Sequence, residues 1–82
     1  MGLIMRGYSQ SIVDANNLAD PDNVGVLLGR ICIEKQYPVS NVVKELEISK
    51  QSVYAWFSGV KQPTFENESA IRKLIQRLMS EV

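Results

Sequence analysis

The side chains of this 82-residue chain that could do chemistry are hydrogen-bond donors and cations, not nucleophiles or proton carriers. There is no histidine, Cys32 is the single cysteine, and no glycine-rich phosphate loop is present. The inventory of general acids, bases and nucleophiles is therefore nearly empty. Glu45 and Glu47 stand two apart on or just after a helix, which points them in different directions and makes them a solvated surface, not a catalytic pair. Glu66 and Glu68 suit the first turn of a helix, where a carboxylate meets the positive end of the dipole. No set of ligands has a metal-binding spacing. The chain is thus read as a non-enzyme with no cofactor and no metal. What remains is a row of hydroxyl, amide and ammonium groups between Ser49 and Lys61, whose chemistry is noncovalent contact.

Two short amphipathic helices must position that row. Residues 39 to 59, VSNVVKELEISKQSVYAWFSG, read as helix, tight turn, helix. This is the layout of a helix-turn-helix, which presents its second helix to the DNA major groove. Ser40 is expected to cap the first helix, which carries Val42, Val43 and Leu46 as one apolar stripe. Ser49 is expected to cap the second, with Ile48 packing on Val53 as a hydrophobic staple. At 100° per residue Val53, Trp56, Phe57 and Val60 gather on the inward side, whereas Gln51, Tyr54, Ala55 and Ser58 fall on the other. Gly59 supplies a left-handed stop, and Pro63 prevents continuation of the same helix.

The stretch ISKQSVYAWFSG, residues 48 to 59, resembles the recognition helix of the lambda-repressor-like, Cro and Xre-type helix-turn-helix family: a cap residue, a small polar run, a β-branched residue and a terminal aromatic. The resemblance covers about residues 22 to 79 in helix layout and is motif-specific over 40 to 61. Carried over residue by residue, it implies that Ser49, Lys50 and Gln51 occupy the groove-entering start of the helix and that Ala55 lies one turn further along. Val53 and Trp56 take the buried positions. It implies base contacts from Lys50 and Gln51, phosphate positioning by Ser52 and Ser58, a place at the groove edge for Tyr54, and a base or phosphate contact from Lys61. The chain has Val43 where the family commonly has alanine, and Glu47 where it has the turn glycine. A glutamate in a left-handed turn costs roughly 1 kcal/mol relative to glycine.

The rest of the chain reads as the remainder of a small all-α bundle of four to five helices. Asp20-Pro21 is expected to open a helix with Val24, Leu27, Leu28, Ile31 and Cys32 on its buried side, closed by Tyr37-Pro38. Gly25 and Gly29, four apart, allow a neighbouring helix to come close. Cys32 is expected to be a buried, inert thiol. After Pro63, residues Ile71, Leu74, Ile75, Leu78 and Met79 recur at helical spacing, with Arg72, Lys73, Gln76 and Arg77 facing outward. That stripe serves either the core or a twin helix in a dimer. Residues 1 to 19 are read as an N-terminal arm or short helix over Gln10 to Asn17, partly ordered and packed on the core by Ile12 and Val13. Residues 20 to 82 are read as the helix-turn-helix domain.

Nine basic and nine acidic residues cancel, but not evenly. Residues 1 to 34 carry Arg6 and Arg30 against Asp14, Asp20, Asp22 and Glu34, whereas residues 35 to 61 carry Lys35, Lys44, Lys50 and Lys61 against Glu45 and Glu47. The positive part coincides with the motif, which permits phosphate binding of modest non-specific strength. A hydrophobic content of 45% fills one core without implying a membrane span. The opening MGLIMRGYSQ has too short an apolar run for a signal peptide, and Arg6 stands where a myristoylation signal wants Ser or Thr. These features lead to the expectation of a cytoplasmic, homodimeric, sequence-specific binder of double-stranded DNA, a phage- or prophage-type transcriptional repressor. Two alternatives stay open: a module that binds a polymerase subunit or a host factor, and an accessory DNA-binding protein of recombination or excision.

Overall fold

The computed structural model describes residues 8 to 80, and over these the fold is all-α, a small bundle of five helices. The readings made on MGLIMRG and on residues 81 and 82 lie outside the described residues. The helices are α1 (Gln10–Leu18), α2 (Val24–Lys35), α3 (Val39–Leu46), α4 (Lys50–Phe57) and α5 (Phe65–Ser80). α2 is the central element: α1, α4 and α5 all pack on it, and α3 braces both α4 and α5.

Four of the helix starts carry a side-chain cap within one turn. Ser9 accepts from the Ile12 N–H, Asn23 from Gly25 and Ser49 from Ser52, each satisfying an N–H that the helix cannot. Thr64 accepts from Asn67 at 3.4 Å, and Glu66 and Glu68 lie in the first turn of α5 as its dipole favours. Two expected starts are displaced. α2 begins at Val24, not at Asp20-Pro21, because the Asp20 carboxylate is engaged by the Asp22 N–H at 3.0 Å in a turn of its own and Asn23 takes the cap. α3 begins at Val39, not after Ser40, because Pro38 holds an extended backbone at φ −66° and its carbonyl accepts from Asn41 and Val42. Ser40 is therefore an exposed second residue of the helix and caps nothing.

The core is filled from α2 to α5, with Ile12 and Val13 of α1 packed against it. Val26, Leu28 and Cys32 of α2, Val42 of α3, Val53 and Phe57 of α4, and Ile71 and Leu78 of α5 are all buried. Tyr8, just before α1, joins them, its ring 6.1 Å from that of Phe57 and its hydroxyl donating to the Tyr37 carbonyl at 2.5 Å. Burial pushes the Cys32 thiol up to about 12 and the Tyr8 phenol well above its ordinary value, so both stay neutral in the core. The two glycines of α2 mark the closest approaches. A Cβ on Gly25 would lie 2.7 Å from the Trp56 Cβ, and one on Gly29 would lie 2.6 Å from the Asn16 amide nitrogen and 2.8 Å from the Phe57 ring. α4 and α1 therefore pack directly on the backbone of α2.

Two apolar side chains expected inward, Val60 and Leu27, face water, and so does Met79 of the stripe read as serving either the core or a dimer. Val60 is 77% exposed and Met79 63%, with Leu27 at the margin at 36%. For Val60 the reason is local: α4 ends at Phe57, and Gly59 at φ +80° reverses the chain, so Val60 no longer follows the helical phase. Leu27 and Met79 belong to one outer seam between α2 and α5. No helix among the described residues is long and apolar enough to cross a membrane.

Candidate functional site

α4 is gripped on one side and open on the other. Val53 and Phe57 are fully buried and Trp56 nearly so, which fixes the rotation of the helix against α2 and α3. Ile48, half-buried just ahead of the Ser49 cap, packs against the same core cluster at the position a staple to Val53 requires. The turn between α3 and α4 is made by Glu47 in the left-handed region, φ 55° and ψ 48°, so a residue with a Cβ holds the conformation that glycine adopts more readily. The outcome is an eight-residue helix whose first turn projects from the bundle with its N–H groups partly unpaired.

The eight residues expected to make contact are all on this helix or at its ends, and they fall into two tiers of exposure. Ser49, Lys50, Gln51 and Lys61 are exposed, whereas Ser52, Tyr54, Ala55 and Ser58 are half-buried. Ser49 holds the first turn twice, accepting from the Ser52 N–H at 3.1 Å and donating its hydroxyl proton to the Ser52 Oγ at 3.0 Å. Ser52 thus keeps its own proton for an outside acceptor. Ser58 is differently placed, since its hydroxyl donates back to the Tyr54 carbonyl at 2.9 Å and must give up that bond to donate elsewhere. Lys61 stays close to α4 because the N–H groups of Val60 and Lys61 both reach the Ala55 carbonyl, at 3.0 and 3.3 Å, while Gly59 bonds to Trp56. This is the Schellman arrangement, and it folds the chain after the helix back along it. The cluster is an array of donors on a convex helix, with Glu47 as the acidic group in the turn beside it.

Two residues that hold this array in place carry no signal in a sequence pattern. Asn16 of α1 is 1% exposed, and its amide nitrogen donates to the Val26 carbonyl of α2 at 3.0 Å and to the Phe57 carbonyl at the end of α4 at 2.7 Å. Arg30 of α2 closes the C-terminus of α1, donating to the carbonyls of Asn16, Asn17 and Ala19 at 3.2 to 3.3 Å. On the far side, Arg77 of α5 forms a two-pronged ion pair with Glu45 of α3, whose carboxylate also accepts from the Tyr37 hydroxyl at 2.5 Å. The Arg77 guanidinium, and after it the Tyr37 hydroxyl, hold Glu45 down at about 2. Burial, together with the bond to the Glu45 carboxylate, pushes Tyr37 up to about 12. Glu45 is thus an anchor of α3. No group of acidic, thiol or imidazole side chains among the described residues is arranged to hold a metal ion.

Comparison of the chain with protein-family models, with curated proteins and with solved structures gives no match.

Proposed function

We propose that the chain is a sequence-specific binder of double-stranded DNA that inserts the first turns of α4 into the major groove, and that it acts as a homodimeric transcriptional repressor of the phage or prophage type. The observation that carries this reading is the split of α4: Val53, Trp56 and Phe57 locked inward, with Lys50 and Gln51 exposed on the projecting first turn. An amide and an ammonium so placed match the hydrogen-bonding edges of bases in a groove wide enough to admit a helix. Ser49, Ser52 and Lys61 flank them where phosphates would run, and the resemblance to the lambda-repressor-like, Cro and Xre-type family points the same way. Repression follows from occupying DNA that polymerase needs, with recognition helices of a dimer about 34 Å apart, one turn of the duplex.

The test is selection from a randomised duplex library with the full chain at two salt concentrations, with Lys50→Ala/Gln51→Ala as control. Enrichment of a paired motif that the control loses supports the reading. A folded protein that enriches nothing at either salt removes it. One specific observation favours a second reading, a module that binds polymerase or a host factor in place of DNA: the chain is neutral overall and places exposed Glu47 beside the donor row. The same selection separates the two. An accessory role in recombination or excision shares the DNA contacts and differs only in outcome.

A further inference from the structure

α2 and α5 lie side by side and run in the same direction, with Val24 and Glu68 on one cleft, Leu27 and Arg72 on the next, and Ile31 and Met79 on the last. Their starts therefore share one end of the bundle, and two other helices finish there. A Cβ on Gly59, just past α4, would lie 3.0 Å from the Ala19 Cβ, just past α1. Leu18 and Val60, the neighbours of those two residues, are 88% and 77% exposed, and Phe65 at the head of α5 is 86% exposed. Single apolar side chains in water are ordinary, but the three most exposed large ones among the described residues share this end. Their rim is acidic. Asp20 and Asp22 are exposed in the link between α1 and α2, and Glu66 is exposed in the first turn of α5. Against them stands the exposed Lys61, while Arg30 is turned into the carbonyls that close α1 and Arg72 is paired with Glu68. Asp22, Asn23, Gln62 and Glu68 line a small cleft of about 90 Å³ between the two helix starts. The Asp20 carboxylate is taken by the Asp22 N–H, but the Asp22 carboxylate has no partner among the described residues.

We propose that this end of the bundle docks a basic segment of another protein, which seats apolar side chains on Leu18, Val60 and Phe65 and a lysine or arginine head in the cleft at Asp22. Charge selects this occupant. The carboxylates of Asp20, Asp22 and Glu66 against the single ammonium of Lys61 repel nucleic acid and anionic lipid alike. They also repel a second copy placed by a two-fold axis, because an isologous contact would set the same acids against themselves. A cationic segment with apolar anchors meets both features: the carboxylates steer it in, and the apolar groups hold it once water is excluded. The surface is also separate from the exposed start of α4. That helix spans eight residues, about 12 Å, between Ser49 and Ser58, so Lys50 and Gln51 stay open when the far end is covered. The surface needs only the folded bundle, and it stands whether or not α4 reads DNA.

Selection from a random displayed-peptide library on the immobilised full chain tests it, with Leu18→Ser/Phe65→Ser and Asp20→Asn/Asp22→Asn as variants and circular dichroism as the check on folding. Asparagine at position 20 keeps an acceptor for the Asp22 N–H, so the second variant removes charge and not the turn. The wild type should enrich peptides that combine lysine or arginine with large apolar residues. Each variant should bind those peptides at least about tenfold more weakly, and the loss from Asp20→Asn/Asp22→Asn should shrink as salt rises. Lys50→Ala/Gln51→Ala should hold the same peptides as the wild type does. Enrichment of acidic or uncharged peptides overturns the basic partner, and a folded wild type that enriches nothing overturns the surface. Peptides held equally by the two end variants, or lost from Lys50→Ala/Gln51→Ala, place the contact elsewhere and overturn it too. Sedimentation equilibrium of the chain alone covers the last case: self-association that Leu18→Ser/Phe65→Ser abolishes would give this end to a second copy and sink the proposal.

Discussion

Asn16 shows how much of the placement of α4 depends on one amide. Its two N–H bonds run to backbone carbonyls of different helices, Val26 in α2 and Phe57 in α4, at a point where Gly29 leaves room for them. Both acceptors are buried with it, so truncation strands them. Asn16→Ala should destabilise the fold by about 1–3 kcal/mol in urea unfolding. Asn16→Asp, nearly the same shape, should cost more at neutral pH, because a carboxylate then faces two carbonyl oxygens and donates to neither. An Asn16→Asp variant as stable as the wild type, with Asn16→Ala still destabilised, would show that the cost is lost packing and not hydrogen bonding. The proposed contact residues of α4 separate in the same way by chemistry. Gln51→Ala should relax base preference by about 1–3 kcal/mol at one position of each half-site. Lys61→Ala should weaken all duplexes alike and flatten the salt dependence, as loss of a phosphate contact does. Equal loss on every sequence from Gln51→Ala would refute its reading role.

Between elements, two joints govern α3 and α4. The first is the ion pair from Glu45 to Arg77. Because the folded Glu45 sits near 2 against an ordinary 4.5, its contribution is complete above the ordinary value and is lost as pH falls from there toward 2. Glu45→Gln should therefore flatten the acid side of the stability profile over that window, and an unchanged profile would mean that the pair is screened by solvent. The second joint is the left-handed Glu47. Glu47→Gly should raise stability by about 1 kcal/mol through relief of the backbone, while Glu47→Gln leaves stability near the wild type. Both should tighten non-specific DNA binding at low salt by removing a negative charge beside Lys50. Such joints explain what could be read in the chain beforehand. The apolar periods of α2, α3, α4 and α5, the Ser49 cap and the Gly59 stop are local, and a sequence displays local physics. The Asn16 and Arg30 bonds span ten or more residues and depend on which helix ends meet, which no period encodes. A helical phase extended past a left-handed residue puts Val60 inward although the chain reverses there, and a stripe read wholly as core puts Leu27 inward, whereas the stripe of Met79 leaves core and dimer both open.

For the whole molecule, the surplus stripe of α5 and the exposed turn of α4 make separable demands. With a net charge of zero, one copy has few lysines to hold DNA, so the proposed DNA reading requires affinity to come from engaging two half-sites at once. Once one recognition helix is seated, the second binds at the high local concentration set by the dimer, which can strengthen binding by about 10²–10⁴ without a new contact. On the dimer reading of the α5 stripe, Met79→Glu removes that advantage while leaving every residue from 49 to 61 untouched. Its affinity for a full two-fold site should therefore fall by a factor in that range, and its affinity for a duplex with one half-site should match the wild type. The site preferred in a library should be the same sequence at half the length. An equal fall on the half-site duplex would place Met79 in the packing that supports α4, and an unchanged affinity for the full site would mean that two copies meet on DNA through some other face.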